Sequence, residues 1–456
     1  MRGGLRDIPV VAGTPLIGNT MSMFNDMPRF FTESFERYGP VFRVRALNRR
    51  FTVLAGTEAS MLPGTAEGRD CLYSMPSWEG VYGAFGAENA VIGNDGESHA
   101  RFRDVMRHGY SRHALDGRYD QIVSVIDDWL DRYCPVGAGI PAVTTIQRLS
   151  IAEVGVAVAG APFFDDVDDL RTHIHWITNV HLLKRWPAWM LKLPKFLNAK
   201  ASMEKNAEET LAVFRARPPM ADDDFGRRLL DDLVAANREA PEFMADRELP
   251  FNLFIPFMAG LDTTSNTIAA VLYMLWRRPS IYREVLAEAD RLFALDSIDE
   301  ASLFEAIPVL DGCVKETMRM FPSVPVLMRH ARRDFTFAGY SIEADEPIMI
   351  ATCVPHFLDE LFSSPNDFDP WRFLGDRKEH LQPGAYSPFG RGPHLCLGKR
   401  IAEVIIPLSV ARLIHQREFV PWKPDYKPTG RHSYGTELAL NMRLDVGARR
   451  PLRAGV

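Results

Sequence analysis

Cysteine is scarce in this chain, at five among 456 residues, and Cys71, Cys134, Cys313, Cys353 and Cys396 stand without paired spacing. That excludes a disulfide framework and fits a reducing compartment. A surplus of basic charge is also lacking. The 53 Lys and Arg against 59 Asp and Glu leave a net charge of −6, which argues against nucleic acid as a partner. Long apolar runs are missing too. The N-terminal segment MRGGLRDIPVVAGTPLIGNTMSMF holds no stretch long enough for a signal-peptide core or a membrane span, and the most apolar run, Leu253 to Leu261, stops at Asp262. The expected location is therefore cytoplasmic, without a transmembrane anchor. No internal repeat and no low-complexity linker interrupts the chain.

What is present is the material for a large core: 46% hydrophobic and 25% charged residues, ordinary for a globular protein. Phe31 to Tyr38 reads as a short helix closing at Gly39-Pro40. Val41 to Val53 alternates with strand-like spacing toward a turn at Gly56. From about 120 to 250 the pattern is mostly helical with charged faces. Within it, Trp176 to Phe196 mixes Trp176, Trp186, Trp189 and Leu191 with Lys184, Arg185, Lys192 and Lys195. Such a stretch either packs its aromatics under a solvated basic face or rests on a membrane surface.

The most informative run is Ser387-Pro-Phe389-Gly390-Arg-Gly392-Pro-His394-Leu-Cys396-Leu-Gly398-Lys399. It presents one cysteine from a glycine-punctuated loop against which a flat cofactor can lie. Ile401, Val404, Ile405 and Leu408 then recur at helical spacing, placing Cys396 at a helix N-terminus. Unpaired amide N–H groups there favour an anion and should lower the thiol's pKa, making Cys396 a candidate metal ligand.

A second stretch, Pro250 to Trp276, is apolar on nearly all sides and reads as a central buried helix. Gly260 weakens it. The hydroxyls that follow Asp262, those of Thr263 and Thr264, can bond back one turn and open the ladder, leaving a groove for a small molecule. A third constellation is Glu316 and Arg319, one helical turn apart, with Arg372 in Phe368-Asp-Pro-Trp-Arg-Phe373. Finally, His99 and Arg103 share a helix face, and Arg329 follows the Glu-x-x-Arg segment.

Together these motifs resemble the cytochrome P-450 family from Pro15-Leu-Ile-Gly18-Asn19 near the start to the segment after Cys396. Phe389-Gly-x-Gly-x-His394-x-Cys396-x-Gly398 is similar to its haem-binding signature, with His394 where Arg is commoner. Ala259-Gly-Leu-Asp262-Thr263-Thr264 is similar to its oxygen-activation motif. The resemblance implies a mainly α fold with a small β-rich region (α+β), in which residues 1–456 form a single haem domain without a fused reductase. Residues about 1–70 and 320–350 would contribute small sheets. It further implies haem b ligated by Cys396 thiolate, which pushes electron density toward O–O cleavage. His99, Arg103, Arg329 and His394 would meet the propionates, with Phe389 in the cofactor loop and Asp262 and Thr263 as the catalytic acid and alcohol.

Residues Trp176 to Phe196 would then be the lid over the substrate channel. The expected reaction inserts one atom of O2 into an apolar lipid-, terpenoid- or steroid-like molecule. Electrons would come from NAD(P)H through a separate ferredoxin and ferredoxin reductase. Trp78, Tyr82, Phe85, Phe254, Phe257, Met258, Val324 and Val326 are the expected pocket residues. A basic patch of Arg101, Arg107, Arg112, Lys399 and Arg400 is the expected ferredoxin site. A peroxide-using haem-thiolate hydroxylase and a non-catalytic haem sensor are the alternatives.

Overall fold

The computed structural model describes residues 6–111, 114–162, 167–218, 226–426 and 442–449. Its axis is the helix Leu249–Trp276, 28 residues long and buried along almost its whole surface. A helix apolar all round needs neighbours on every side. It has them in Ala142–Ala159, Pro194–Ala216, Leu229–Glu239, Pro308–Met320 and Lys399–Gln416. Among the described residues Ala142–Ala159 alone is long and apolar enough to cross a membrane, yet 78% of it is buried in this bundle, as a core helix should be.

Two of the three sheets pack in hydrophobic clusters of their own, apart from the helical core. A five-stranded sheet runs in the order Val41–Ala46, Arg49–Ala55, Pro347–Ala351, Leu327–Ala331, Leu72–Tyr73. The stretch read as alternating from Val41 to Val53 is split by a turn at Leu47-Asn48 into its first two strands, an antiparallel hairpin, and Arg49–Ala55 pairs in parallel with Pro347–Ala351, Thr52 facing Ile348. Phe335–Phe337 and Tyr340–Ile342 make a second, two-stranded sheet. The third, joining Gly139–Pro141, Arg443–Ala448 and Arg417–Pro421, lies outside the two regions expected from sequence. Its first strand is only three residues long, begins with Gly and ends with Pro, which reads as a turn until distant partners complete the ladder.

Glu316 and its arginines form a buried triad. Arg319 binds both carboxylate oxygens of Glu316 at 2.7 and 2.8 Å, Arg372 Nε reaches Oε1 at 3.1 Å, and all three side chains are fully buried. Arg319 also donates to His356 O, while the His356 ring faces Arg319 O at 3.1 Å and accepts from Ser387 N at 3.2 Å. Burial and then Arg319 push the His356 pKa down to about 3. The ring is therefore neutral, donating from Nδ1 and accepting at Nε2. This chain of bonds connects the helix Pro308–Met320 to the first residue of the cysteine loop.

Candidate active site

The cysteine loop is held at both ends. Gly390 and Gly392 both have φ +71°, a region that side chains disfavour. A Cβ on Gly392 would come within 2.2 Å of Pro63 O, so the loop lies directly on the Leu62–Gly64 turn. Cys396 N donates to Phe389 O at 2.9 Å, and the following helix, Lys399–Gln416, is capped by Gly398. A Cβ on Gly398 would lie 3.9 Å from Cys396 Sγ. Its absence leaves the space beside the sulfur open.

That space is a cavity of about 370 Å³. One wall carries Phe389, Cys396 and Gly398; the opposite wall is the long helix at Ile255, Pro256, Ala259, Gly260, Thr263 and Thr264. Trp78, Val91, Ile92, Val324 and Leu327 close it with apolar groups. At one edge stand His99, Arg103, Arg329 and His394, which it shares with a second, solvent-side cavity of about 810 Å³ lined also by Arg69, Asp95 and Arg107. A thiol, two apolar faces and an edge of two guanidiniums and two imidazoles match a flat macrocycle with a metal at its centre and two carboxylates on one side.

The edge residues are tied to each other. His99 and His394 stack with ring centroids 4.1 Å apart, and burial, with His394 and Arg103 adding, pushes the His99 pKa down to about 4. His394 Nε2 sits 2.9 Å from Asp95 Oδ1, and Asp95 also accepts from Ser74 N at 2.7 Å. Burial alone would raise the Asp95 pKa, but His394, Ser74 N and Arg329 outweigh it and hold it below its usual value. Arg103 donates to Leu395 O at 2.6 Å, beside the cysteine.

Cys396 opens onto the cavity but is otherwise walled by protein, and burial keeps its thiol above its ordinary pKa against the Gly398 and Lys399 amides and Arg103. The expectation of a lowered value is thus corrected. The loop carries the sulfur two residues short of the Gly398 cap, where apolar surroundings outweigh the helix end. A thiol in such a place becomes a thiolate through the metal itself.

On the long helix, Thr263 Oγ1 donates to Ala259 O at 2.6 Å, the back-bonding expected from sequence, and Thr267 Oγ1 donates likewise to Thr263 O at 2.7 Å. Gly260 has a packing reason as well, since a Cβ there would come within 2.9 Å of Val154 Cγ2. Asp262 points elsewhere. Its carboxylate turns away from the cavity and takes Gln147 Nε2 at 2.7 Å and His175 Nε2 at 2.9 and 3.1 Å.

A model of the family described as Cytochrome P450 matches residues 9–433. The chain belongs to the cytochrome P450 family. It is 24% identical over 451 residues to Cytochrome P450 3A28 of Bos taurus, covering 94% of this chain and 88% of that one. It is 32% identical over 239 residues to a sterol 14alpha-demethylase of Mycolicibacterium vanbaalenii, about 52% of each. The solved structure of retinoic acid bound cyanobacterial CYP120A1 superposes with a TM-score of 0.81 at 21% identity, over 97% of this chain and 100% of that one. A cytochrome P450DA haem domain gives 0.82 at 19%, over 98% and 99%. P450s are monooxygenases that bind haem b through a cysteine thiolate.

The P450 motifs therefore meet in space: Cys396, Phe389, Thr263, His99, Arg103, Arg329 and His394 border one cavity. Several expected pocket residues do not. Phe254 and Phe257 are buried in the core, Met258 packs against it, and Val326 belongs to the N-terminal cluster. The helix is rotated so that Ile255, Pro256 and Ala259 face inward instead. Phe85 stacks on Phe251 at 4.5 Å, and the Tyr82 hydroxyl organises the loop that follows, bonding Ala90 O, Asn94 and Gly93 N. In the aromatic-basic stretch, Trp176 and Phe196 pack inward while Trp189 is exposed.

The expected basic patch is largely paired. Arg101 meets Glu242, Arg107 meets Asp104, Lys399 meets Glu403, and Arg400 meets Glu300; Arg112 lies outside the described residues. Sequence reading missed Asp95, Gln147 and His175. Asp95 and Gln147 stand in no recognisable motif, and His175 lies one residue before the stretch read for its aromatics and charge.

Proposed function

We propose that this chain is a single-domain haem-thiolate monooxygenase acting on an apolar small molecule, with Cys396 as the axial ligand. The observation that supports it is the cavity with Cys396 on one wall, Thr263 on the other and a cationic edge between them. His99, Arg103, Arg329 and His394 hold the propionates, and Phe389 flanks the sulfur. When bound, the haem supplies reductive activation of O2. The protein binds an apolar substrate against Trp78, Val91, Ile92 and Val324, keeps bulk water out, and positions protons. Because the Thr263 hydrogen is committed to Ala259 O, its lone pairs face the cavity and hold a water by accepting from it. Asp262 is the acid that supplies protons behind it.

The wall favours a lipid-, terpenoid- or steroid-like substrate, and a relative named for sterol demethylation is consistent with that class. Electrons come from NAD(P)H through a separate ferredoxin and reductase. The peroxide-using reading is less well supported. Among the described residues the guanidiniums lining the cavity are those of Arg103 and Arg329, at the cofactor edge, leaving none over the substrate space to fix a carboxylate. The test is the ferrous–CO spectrum. The wild type should show the red-shifted Soret band of thiolate ligation, and Cys396→Ser should lose it. A serine variant that keeps the band removes Cys396 from the role.

A further inference from the structure

Away from the cysteine loop and the cationic edge, the active-site cavity is lined by apolar groups and by four aliphatic hydroxyls, those of Thr263, Thr264, Thr267 and Ser323. Two of them are accounted for. Thr263 gives its hydrogen to Ala259 O. Thr264 follows Gly260 by one helical turn, and a Cβ on Gly260 would meet Val154 Cγ2, so Thr264 faces the helix Ala142–Ala159.

Thr267 and Ser323 meet each other instead. Thr267 Oγ1 donates to Thr263 O at 2.7 Å, which leaves its lone pairs open. Ser323 Oγ lies 3.4 Å from Thr267 Oγ1 and 3.4 Å from Thr263 O, at the outer edge of hydrogen bonding, and that carbonyl already takes Thr267. The Ser323 hydrogen is therefore uncommitted. An acceptor and a donor stand side by side in an apolar wall, with Val324 and Leu327 next to them.

Ser323 is also held in place. It lies between the helix Pro308–Met320 and the strand Leu327–Ala331, flanked by Pro322 and, two residues on, by Pro325, whose carbonyl accepts from Cys353 N at 3.1 Å and Thr352 Oγ1 at 3.3 Å. A hydrocarbon packed over the pair would strip both hydroxyls of water and give back no bond, which opposes binding. A ligand oxygen about 2.8 Å from each would instead bridge their 3.4 Å separation.

We propose that Ser323 and Thr267 form a seat for a hydroxyl group of the substrate, with Ser323 donating to its oxygen and Thr267 Oγ1 accepting its hydrogen. The substrate is then an alcohol on an apolar skeleton, not a plain hydrocarbon. This rests on the monooxygenase reading above and narrows its substrate class.

The test uses menthol, dodecanol and androstanol, each beside its carbonyl counterpart and its parent hydrocarbon, titrated into ferric haem-loaded enzyme. Binding is read by the ligand-induced spectral shift and by the rise in melting temperature. On at least one skeleton the alcohol should bind about fivefold or more tighter than the hydrocarbon, with the carbonyl compound between them. Ser323→Ala should abolish the advantage of the carbonyl compound and cut that of the alcohol to a third or less, while the hydrocarbon binds as before. Thr267→Val should bring the alcohol down to the carbonyl compound, and Ser323→Thr, which keeps a hydroxyl, should retain the preference. No preference for the alcohol on any skeleton, a preference that survives Ser323→Ala, or equal weakening of alcohol and hydrocarbon in that variant overturns the proposal. The ferrous–CO band on the same preparations separates the two readings. Its absence in the wild type sinks the monooxygenase reading, whereas its presence without an alcohol preference sinks only the hydroxyl seat.

Discussion

Thr263 offers the active-site cavity an acceptor and no hydrogen, because its own helix holds the hydroxyl. Thr263→Ala should therefore leave haem and substrate binding near normal while roughly tenfold or more of the reducing equivalents per product go to hydrogen peroxide; Thr263→Ser should behave as wild type. Equal product yield per nicotinamide in the alanine variant would remove Thr263 from the relay. Glu153 is a buried acid with a different part. It is fully buried between Ala142–Ala159 and Lys399–Gln416, meets Ser409 Oγ, and burial pushes its pKa up to about 8. A carboxyl raised in the folded state stabilises most below its unfolded value near 4.5 and loses that contribution as pH rises toward 8, a span worth on the order of 3–5 kcal/mol. Glu153→Gln should flatten the fall of melting temperature between pH 5 and 8, which a thermal scan at several pH values reads; parallel slopes would show another group responsible. Cys396 and Thr263 were legible in the sequence because their chemistry demands fixed neighbours along the chain. Asp95, Gln147 and His175 were not, because each acts through a partner that folding supplies from a distant element.

Among the elements, the long helix was legible from its continuous apolar character, but which residues face the cavity was not. Phe254 and Phe257 look like pocket residues until the packing of Ala142–Ala159 and Lys399–Gln416 fixes the rotation of the helix. The Glu316 triad was legible as a pattern, yet its reach to the cysteine loop passes through His356 and Ser387, which no spacing announces. Arg372 keeps Glu379 at 2.6 Å, but Glu316→Gln leaves the buried Arg319 guanidinium beside a neutral partner, at a cost of about 3–5 kcal/mol. It should yield little haem-loaded protein and a lower melting temperature, measured by the Soret-to-protein absorbance ratio and by calorimetry. Normal loading and normal melting would mean that the triad does not hold the loop.

For the molecule as a whole, a net charge of −6 sets the field that the proposed ferredoxin, if acidic, would have to approach. The bases near the cysteine side are engaged in exposed ion pairs with Asp104, Glu403 and Glu242. Such pairs are worth roughly 0–1 kcal/mol, so a partner's carboxylates can replace the internal ones. Arg107→Glu with Lys399→Glu should slow ferredoxin-supported turnover several-fold at low ionic strength and little at high salt, without touching ligand-induced spectral shifts. Salt-independent turnover with wild-type rates would place docking elsewhere. The α+β class came with the family resemblance, and the strand character of Val41 to Val53 was legible from its alternation, though not the turn that folds it into a hairpin. The Gly139–Pro141, Arg417–Pro421 and Arg443–Ala448 sheet was not, because its strands are short and about two thirds of the chain separates the first from the last.

The seat of Gly392 on Pro63 also bears on the order in which the protein can be made. The two residues lie more than three hundred positions apart, so the first sixty or so residues leave the ribosome long before the loop they support exists. The sulfur can settle into place only after the C-terminal fifth has emerged and found that turn already formed, and loops closed over such distances form late. Cofactor capture thus belongs to the end of synthesis, and a nascent chain halted before Cys396 would present the cationic edge of the cavity with nothing to ligate the metal.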